Sequence, residues 1–204
     1  KIKRLKMDKN IFLSASIPLP DRDPKFIESA DISAIRDSVN ALSKLIIPKA
    51  HLIWGGHPSI TPLIKFTLKQ LGKNAQDHVT LYQSKLFEEF FPEDNASFAN
   101  IKLVDSVNND RKESLLAMRN EMLSKDKNFI AGIFIGGMEG VIEEMKLFQK
   151  YHPDTPIFPI ATTGAAALEI YNMNPIVYPE EFKDELINNY AYLSLFIKLL
   201  GNKL

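Results

Sequence analysis

The chain has 204 residues, enough for one domain with a large buried core. Its 25 basic and 25 acidic residues balance, so the strongly basic surface of a nucleic-acid-binding protein is not expected. The absence of cysteine excludes a disulfide framework, a thiolate nucleophile and zinc ligation by thiolates.

The sequence contains no candidate membrane span, because no segment has the roughly 18–20 consecutive apolar residues that a span needs. The start of the chain, KIKRLKMDKN, is basic and polar and lacks the apolar core of a signal peptide. The sequence therefore predicts a cytoplasmic protein with no membrane partner and no nucleic-acid partner.

The predicted elements begin with a buried strand at residues 10–16, NIFLSAS, and a helix that starts at Asp31. In that helix Ile35, Val39 and Leu42 recur at helical spacing. The same signals predict further strands at 51–54, 78–82, 101–104, 129–135 and 156–160, and further helices at 60–71, 85–91, 110–124, 141–150 and 164–171.

This alternation of strands and helices predicts an α/β fold, a Rossmann-like three-layer sandwich with a mostly parallel sheet. We expect a single domain over residues 1–204 with C-terminal helices at about 179–202. The segment 75–100 is the least regular and is expected to lie near the site. The apolar run at 191–200, AYLSLFIKLL, predicts a terminal helix that packs on the core or on another subunit.

The segment FIAGIFIGGMEGVIEE at residues 129–144 is the most informative part of the sequence. An apolar strand leads into a turn with Gly136, Gly137 and Gly140, and a helix follows directly. Glycines allow sharp turns and close approach to a ligand, and the first N–H groups of a helix favour anions. The segment therefore predicts a cradle for a nucleotide or a phosphate. A second glycine pair, Gly55–Gly56, follows the strand at 51–54.

Polar and small residues follow successive strands, and parallel strands bring such ends to one edge of the sheet. Backbone N–H and hydroxyl donors there suit phosphates and ribose hydroxyls. Each serine or glycine is equally well explained as an ordinary turn former. The predicted ligand-binding residues are Ser14, Ser16, Arg22, Gly55, Gly56, His57, Gln83, Ser84, Arg119, Gly136, Gly137, Met138, Glu139, Gly140, Thr162 and Thr163.

Three charged or titratable positions have two interpretations each. His57 is either a proton donor or phosphate contact, or a structural histidine. Arg119 either binds phosphate through its planar guanidinium or lies in solvent on its helix. Glu144 either stabilises the amino-terminal end of its helix or faces a ribose. The histidines have no acidic residue at metal-ligand spacing, so neither a metal site nor a cofactor is predicted.

The motifs FLSASIPLPDR, GGHPSITP, LYQS, AMRNEM, GGMEGVIEEMKLF and TTGAAA together resemble the SLOG superfamily. The resemblance is strongest to the bacterial branch found beside TIR and sirtuin-like domains in defence-related genes, and it covers residues 11–171. It implies a Rossmann-like fold and a ligand derived from a nucleotide. The superfamily includes the cytokinin-activating phosphoribohydrolases, called lysine decarboxylase-like proteins, and its enzymes are commonly dimers.

The resemblance also implies roles for particular residues. The enzyme branch has a proline-glycine-glycine turn, a further glycine followed by threonine, a glutamate soon after, and a catalytic arginine on the preceding helix. Gly136, Gly137 and Gly140 match the glycines, Glu144 the glutamate and Arg119 the arginine. The chain departs from this pattern, since Ile135 replaces the proline, one residue is inserted before Gly140, and Val141 replaces the threonine.

The leading interpretation is a sensor module that binds an NAD- or ADP-ribose-related ligand in bacterial antiviral defence signalling. Its expected partners are an effector protein with a TIR or sirtuin-like domain and further copies of the same chain. The alternative is an N-glycosidase, in which Glu144 stabilises oxocarbenium-like charge on a ribose and Arg119 holds the substrate. A third interpretation, assembly without a ligand, is opposed by the intact glycines.

Overall fold

The computed structural model describes residues 9–173 and 178–204, and it is built around one six-stranded sheet. The amino-terminal segment in which no signal peptide is predicted lies outside the described residues up to position 8. The strands are β1 Asn10–Ser16, β2 His51–Trp54, β3 Val79–Ser84, β4 Ile101–Val104, β5 Phe129–Gly136 and β6 Ile157–Ile160.

The strand order is β4-β3-β2-β1-β5-β6, and every pairing among the described strands is parallel. The chain starts at the centre with β1, moves outward to β4, and then crosses back to the other side of β1. The order therefore reverses between β1 and β5, which is the position where open α/β sheets bind ligands. The predicted Rossmann-like α/β fold is confirmed, with a sheet that is parallel throughout these strands.

The helices cover both faces of the sheet, as right-handed crossovers require. Helices α2 and α3 connect the strands on one face, and α4 and α5 lie on the other. The helices are α1 Pro24–Ser29, α2 Ile32–Ile46, α3 Thr61–Leu71, α4 Arg111–Met122, α5 Glu139–Tyr151, α6 Ala165–Met173, α7 Glu180–Asn188 and α8 Tyr192–Leu200.

The central strands are apolar on both sides because helices bury both faces. In β5 nearly every side chain is buried, and on the α5 side Phe12 stacks on Phe148 with ring centroids 5.5 Å apart. Phe134 meets Phe12 edge to face at 5.9 Å, so β1, β5 and α5 share one aromatic cluster. This packing fixes the carboxyl ends of β1 and β5 relative to the start of α5.

Helix boundaries follow from local capping. Asp31 caps α2 by accepting a hydrogen bond from the backbone N–H of Ala34 at 2.8 Å. Gly72 ends α3 with a φ of 87°, which glycine adopts without strain. Helix α1 was not predicted, although Asp23 caps it and Pro24 occupies its first turn.

The irregular segment between α3 and β4 consists mainly of 3₁₀ turns, at Lys73–His78, Lys85–Phe90 and Glu93–Ser97. The helix predicted at 85–91 is one of these turns, and Phe87 within it departs from helical backbone angles. The segment packs on β3 and α3, towards the β4 edge of the sheet.

The apolar run at the end of the chain forms α8, which packs on α2 through buried residues including Leu195 and Leu199. The opposite side of α8 exposes about half of the Leu193 and Ile197 side chains. Among the described residues, none of the helices is both long and apolar enough to cross a membrane.

Candidate functional site

A cleft of about 320 Å³ opens at the carboxyl end of the sheet, where the strand order reverses between β1 and β5. Its walls come from the ends of β1 and β2, the loop before α1, one side of α4 and the first turns of α5. Eleven of the predicted site residues line this cleft: Ser14, Ser16, Arg22, Gly55, Gly56, His57, Arg119, Met138, Glu139, Gly140 and Glu144.

A hydrogen-bonded network joins three elements on one wall of the cleft. The hydroxyl of Ser14 on β1 donates to Oε2 of Glu144 on α5 at 2.5 Å. Nε of Arg119 on α4 donates to Oε1 of the same carboxylate at 3.2 Å. The side chains of Arg119 and Glu144 are only 11% and 14% exposed, so this is a largely buried ion pair. Both oxygens of Glu144 are therefore engaged by protein donors.

The remaining nitrogens of Arg119 contact the start of α5. Nη1 donates to Oε2 of Glu143 at 2.5 Å, and Nη2 lies 3.5 Å from the carbonyl oxygen of Gly140. A Cβ atom at Gly140 would stand 3.0 Å from Nη2, so a glycine leaves room for the guanidinium here. Two neighbouring carboxylates thus fix Arg119, and the sequence analysis did not predict the part played by Glu143.

The amino-terminal end of α5 faces the cleft without a side-chain cap. Met138 occupies the capping position in an extended conformation, and its side chain makes no capping hydrogen bond. The N–H of Val141 donates to the carbonyl of Met138 at 2.9 Å, whereas the N–H groups of Glu139 and Gly140 have no side-chain acceptor among the residues that the structure describes. The N–H groups of a first helical turn carry a partial positive charge and lack partners within the helix. With Met138, Glu139 and Gly140 on the cleft surface, this end of α5 is suited to an anionic group.

The glycine pair before α5 shapes the turn and does not line the cleft. Gly136 and Gly137 have positive φ values of 55° and 90°, a backbone conformation that glycine adopts without steric strain. The N–H of Gly136 donates to Oγ1 of Thr163 at 2.8 Å, and the N–H of Gly137 donates to the carbonyl of Ser16 at 2.8 Å. Because these donors are used within the protein, Gly136 and Gly137 do not offer their N–H groups to a phosphate in the way that the sequence had predicted.

Gln83, Ser84, Thr162 and Thr163 were also predicted to bind the ligand, and none of them lines the cleft. Oε1 of Gln83 accepts a hydrogen bond from Asn95 at 2.6 Å, and Ser84 caps the following 3₁₀ turn. Thr162 shares a hydrogen bond with the hydroxyl of Tyr192 at 3.0 Å. Gln83 and Ser84 are the last two residues of β3, which β2 separates from β1, and Thr162 and Thr163 follow β6 on the far side of β5. These residues therefore lie away from the junction of β1 and β5. The irregular segment after β3 is outside the lining for the same reason.

His57 lies in the loop after β2, where Gly56 adopts a φ of 67°. The backbone N–H of Ser59 lies 3.3 Å from Nδ1 of His57, and the Ser59 hydroxyl lies 2.8 Å from the same atom. A backbone N–H can only donate, so Nδ1 is the acceptor and the ring proton is placed on Nε2. Burial, with a smaller contribution from the charge of Arg22, lowers the pKa of His57 to about 4. At neutral pH His57 is a neutral hydrogen-bond donor.

The structure adds residues to the site that the sequence analysis did not identify. Arg111 and Leu115 line the cleft from α4, and Asp23 and Phe26 line it from α1. The signal for the α4 residues was their spacing, because positions 111, 115 and 119 lie on one face of a helix. Within the described part of the chain, no cluster of three histidine or acidic side chains has the arrangement of a metal site.

The parallel sheet, with a cleft at its reversal point and helices on both faces, defines a Rossmann-like α/β protein. Within that class, the family model described as the SLOG cluster3 family matches residues 25–200, and the chain belongs to this family. The resemblance to the SLOG superfamily is thereby confirmed. Membership suggests a nucleotide-related ligand or an N-glycosidase-like activity.

A solved structure has the same fold. It is an X-ray structure titled as TM1055, a target of the Northeast Structural Genomics Consortium, with a TM-score of 0.57 and 13% sequence identity. The similarity covers 86% of this chain and 88% of that one. At this identity the likeness supports the fold alone. Comparison with curated proteins gave no match.

Proposed function

We propose that the protein binds a nucleotide-derived ligand in the cleft and acts as a sensor. The observation that carries this proposal is the uncapped amino-terminal end of α5 at the point where the strand order reverses. A phosphate there receives hydrogen bonds from the first N–H groups of α5 and is favoured by the helix dipole.

The other walls of the cleft suit the remainder of a nucleotide. Ser16 and the carboxylate of Glu139 offer hydrogen-bond partners for ribose hydroxyls. Leu115 and Met138 are half-buried and offer apolar contacts for a base. This mixture of a few polar groups and apolar surface is typical of small-molecule sites.

A sensor is favoured over an enzyme by the hydrogen bonds of Glu144. Its two carboxylate oxygens are engaged by Ser14 and Arg119, and Arg119 is in turn held by Glu143. A glutamate that acts on a ribose needs an oxygen directed at the sugar, whereas a structural ion pair between α4 and α5 does not. The network therefore supports binding without turnover.

The wider role follows from the family resemblance. Our proposal is that the ligand is related to NAD or ADP-ribose, and that binding changes the activity of an effector protein with a TIR or sirtuin-like domain. The setting is bacterial antiviral signalling in the cytoplasm, and the sensor assembles as a homo-oligomer. The chemistry of the cleft supports only the nucleotide part of this role.

The alternative function is hydrolysis of an N-glycosidic bond in a nucleoside monophosphate or an NAD-like molecule. One observation favours it, which is that the buried Arg119–Glu144 pair lines the cleft. In this function the Glu144 carboxylate leaves Ser14 and stabilises positive charge on the ribose as its bond to the base breaks, while Arg119 holds the substrate. A water adds to the anomeric carbon, and its proton passes to the departing base.

A thermal-shift series with AMP, NAD, ADP-ribose and cyclic dinucleotides, followed by chromatography of each mixture, separates these functions. A sensor is stabilised by a ligand that is recovered intact. Release of free base establishes the glycosidase. No stabilisation and no product with any of these compounds contradicts both.

A further inference from the structure

We propose that Arg22, His57 and Arg111 form a second anion-binding site at the mouth of the cleft, which selects nucleotides with two linked phosphates over nucleoside monophosphates. This inference rests on the proposed function and extends it. One phosphate lies at the amino-terminal end of α5, and the other is bound by these three side chains.

The first evidence for this site is that Arg22 and Arg111 differ in exposure and ion pairing from Arg119, the third arginine that lines the cleft. Arg119 is buried and held by two carboxylates. Arg22 and Arg111 are exposed, and neither forms an ion pair with any residue in the ranges that the structure describes. Both nevertheless line the cleft, so their guanidinium groups are available to an anion that enters it.

Arg111 stands at a helix end that also favours an anion. It is the first residue of α4, where the helix dipole presents partial positive charge, and the carboxylates of Asp110 and Glu113 lie in the same turn and offset the arginine. Because the guanidinium of Arg111 lines the cleft, a phosphate bound there is attracted both by the arginine and by the helix dipole.

His57 contributes a donor whose orientation is fixed by the protein. The backbone N–H of Ile17 donates to Oγ of Ser59 at 3.0 Å, and Ser59 in turn contacts Nδ1 of His57. These contacts join the loop after β1 to the loop after β2. They leave Nε2–H of His57 without a hydrogen-bond partner among the residues that the structure describes. Arg22 lies close enough to His57 to act on it electrostatically. The two side chains thus belong to one local site.

The acidic residues of the cleft limit how much negative charge it accepts. Asp23 lines the cleft beside Arg22, and Glu139 lies in the first turn of α5. These carboxylates repel a long polyphosphate chain but have room for ribose hydroxyls. The charge pattern thus favours two phosphates that join sugars, as in a dinucleotide or a nucleoside diphosphate sugar.

Calorimetric titration of AMP and of ADP-ribose tests this site. The wild-type protein is expected to bind ADP-ribose at least about tenfold more tightly than AMP, which corresponds to one charged hydrogen bond. Arg111→Ala and Arg22→Ala are each expected to weaken ADP-ribose binding by about tenfold and to change AMP binding less than about twofold. Arg36→Ala is the control, because Arg36 is exposed on α2 and lies outside the cleft lining.

Ser59→Ala gives an independent readout of the His57 donor. It is expected to lower the ratio of ADP-ribose affinity to AMP affinity, whereas a purely structural serine would leave that ratio unchanged. Equal affinity of the wild type for both ligands, or an equal loss of both in Arg111→Ala, would overturn the second anion site while leaving nucleotide binding intact. Failure of both ligands to bind would overturn the proposed function as well.

Discussion

At the level of single residues, the ion pair between Arg119 and Glu144 decides how the cleft wall is held. It links α4 to α5, and through Ser14 it links both helices to β1. The sequence placed Arg119 and Glu144 in the site by their resemblance to family motifs. Their contact with each other depends on the packing of two helices and was beyond the reach of spacing arguments.

Arg119→Met is expected to destabilise the protein by about 3 kcal/mol, because it leaves the largely buried carboxylate of Glu144 without its cation. Urea denaturation measures this change. The double variant Arg119→Met/Glu144→Gln is expected to recover part of the loss, since the uncompensated charge is then removed.

The control for this prediction is Lys85→Met, which removes the ion pair with Asp105. Asp105 is 85% exposed, and solvent screens such an exposed pair, so its removal is expected to change the free energy of unfolding far less than Arg119→Met does. Equal effects of the two single variants would contradict the assignment of Arg119 to a buried pair.

His57 makes stability depend on pH. Its pKa is about 4 in the folded protein and about 6.5 when unfolded, so the unfolded state binds the proton more readily. The contribution of His57 to the free energy of unfolding is fully present above pH 6.5. It falls by about 3 kcal/mol as the pH drops from 6.5 to 4. The difference in unfolding free energy between wild type and His57→Gln, followed from pH 7.5 to pH 4, measures it. A difference that does not vary with pH would contradict the buried, neutral state.

At the level of elements, the sequence predicted the strands and helices whose apolar residues recur in a regular pattern over a long stretch. The apolar strands, and α2 with its repeating apolar face, were found because tertiary packing agrees with local signals. Helix α1 was missed because six residues are too few to show a helical period. Gly136 and Gly137 were assigned to the ligand because a sequence does not show whether an N–H is already used. Their partners are Thr163 and Ser16, which are distant in the chain.

Gly164 illustrates an element contact that only the structure shows. It has a φ of 68°, and a Cβ atom there would lie 1.7 Å from the backbone oxygen of Ser29 at the end of α1. Gly164→Ala is expected to cost about 3 kcal/mol or more, because backbone must move and the backbone conformation is strained. Since α1 carries part of the cleft wall, ligand affinity should fall as well.

Gly72→Ala is the matched variant for thermal denaturation. Gly72 also has a positive φ, of 87°, but no atom lies within 4 Å of the added Cβ. Gly72→Ala is expected to cost about 1–3 kcal/mol from backbone strain alone, less than Gly164→Ala, where the clash with Ser29 adds to the strain. Equal losses of stability in Gly164→Ala and Gly72→Ala would contradict the close approach of α1 to Gly164.

At the level of the whole molecule, the order of the strands determines where the cleft lies. The sequence predicted an α/β fold, and the reversal of strand order then determined which strand ends meet. Residues at the end of β3 and after β6 were predicted in the site but lie outside the cleft, because strand order cannot be inferred from alternation alone. The single domain and the homo-oligomer stay predictions.

If the chain assembles through α8, Leu193 and Ile197 are the residues expected at the interface, since about half of each side chain is exposed. Light scattering of the wild type should then give a multiple of the 23.1 kDa chain mass. The double variant Leu193→Glu/Ile197→Glu should have the mass of one chain and an unchanged free energy of unfolding. A wild-type mass of one chain would refute assembly.

The most direct test of the central claim is calorimetric titration of ADP-ribose into the wild-type protein and into Gly140→Leu, with chromatography of the ligand afterwards. A leucine at this helical position would project beside Arg119 and fill the cleft in front of α5. The account predicts binding of one ligand per chain, recovery of the ligand intact, and loss of binding in Gly140→Leu. Absence of binding to the wild type, or undiminished binding to a folded Gly140→Leu, would contradict it.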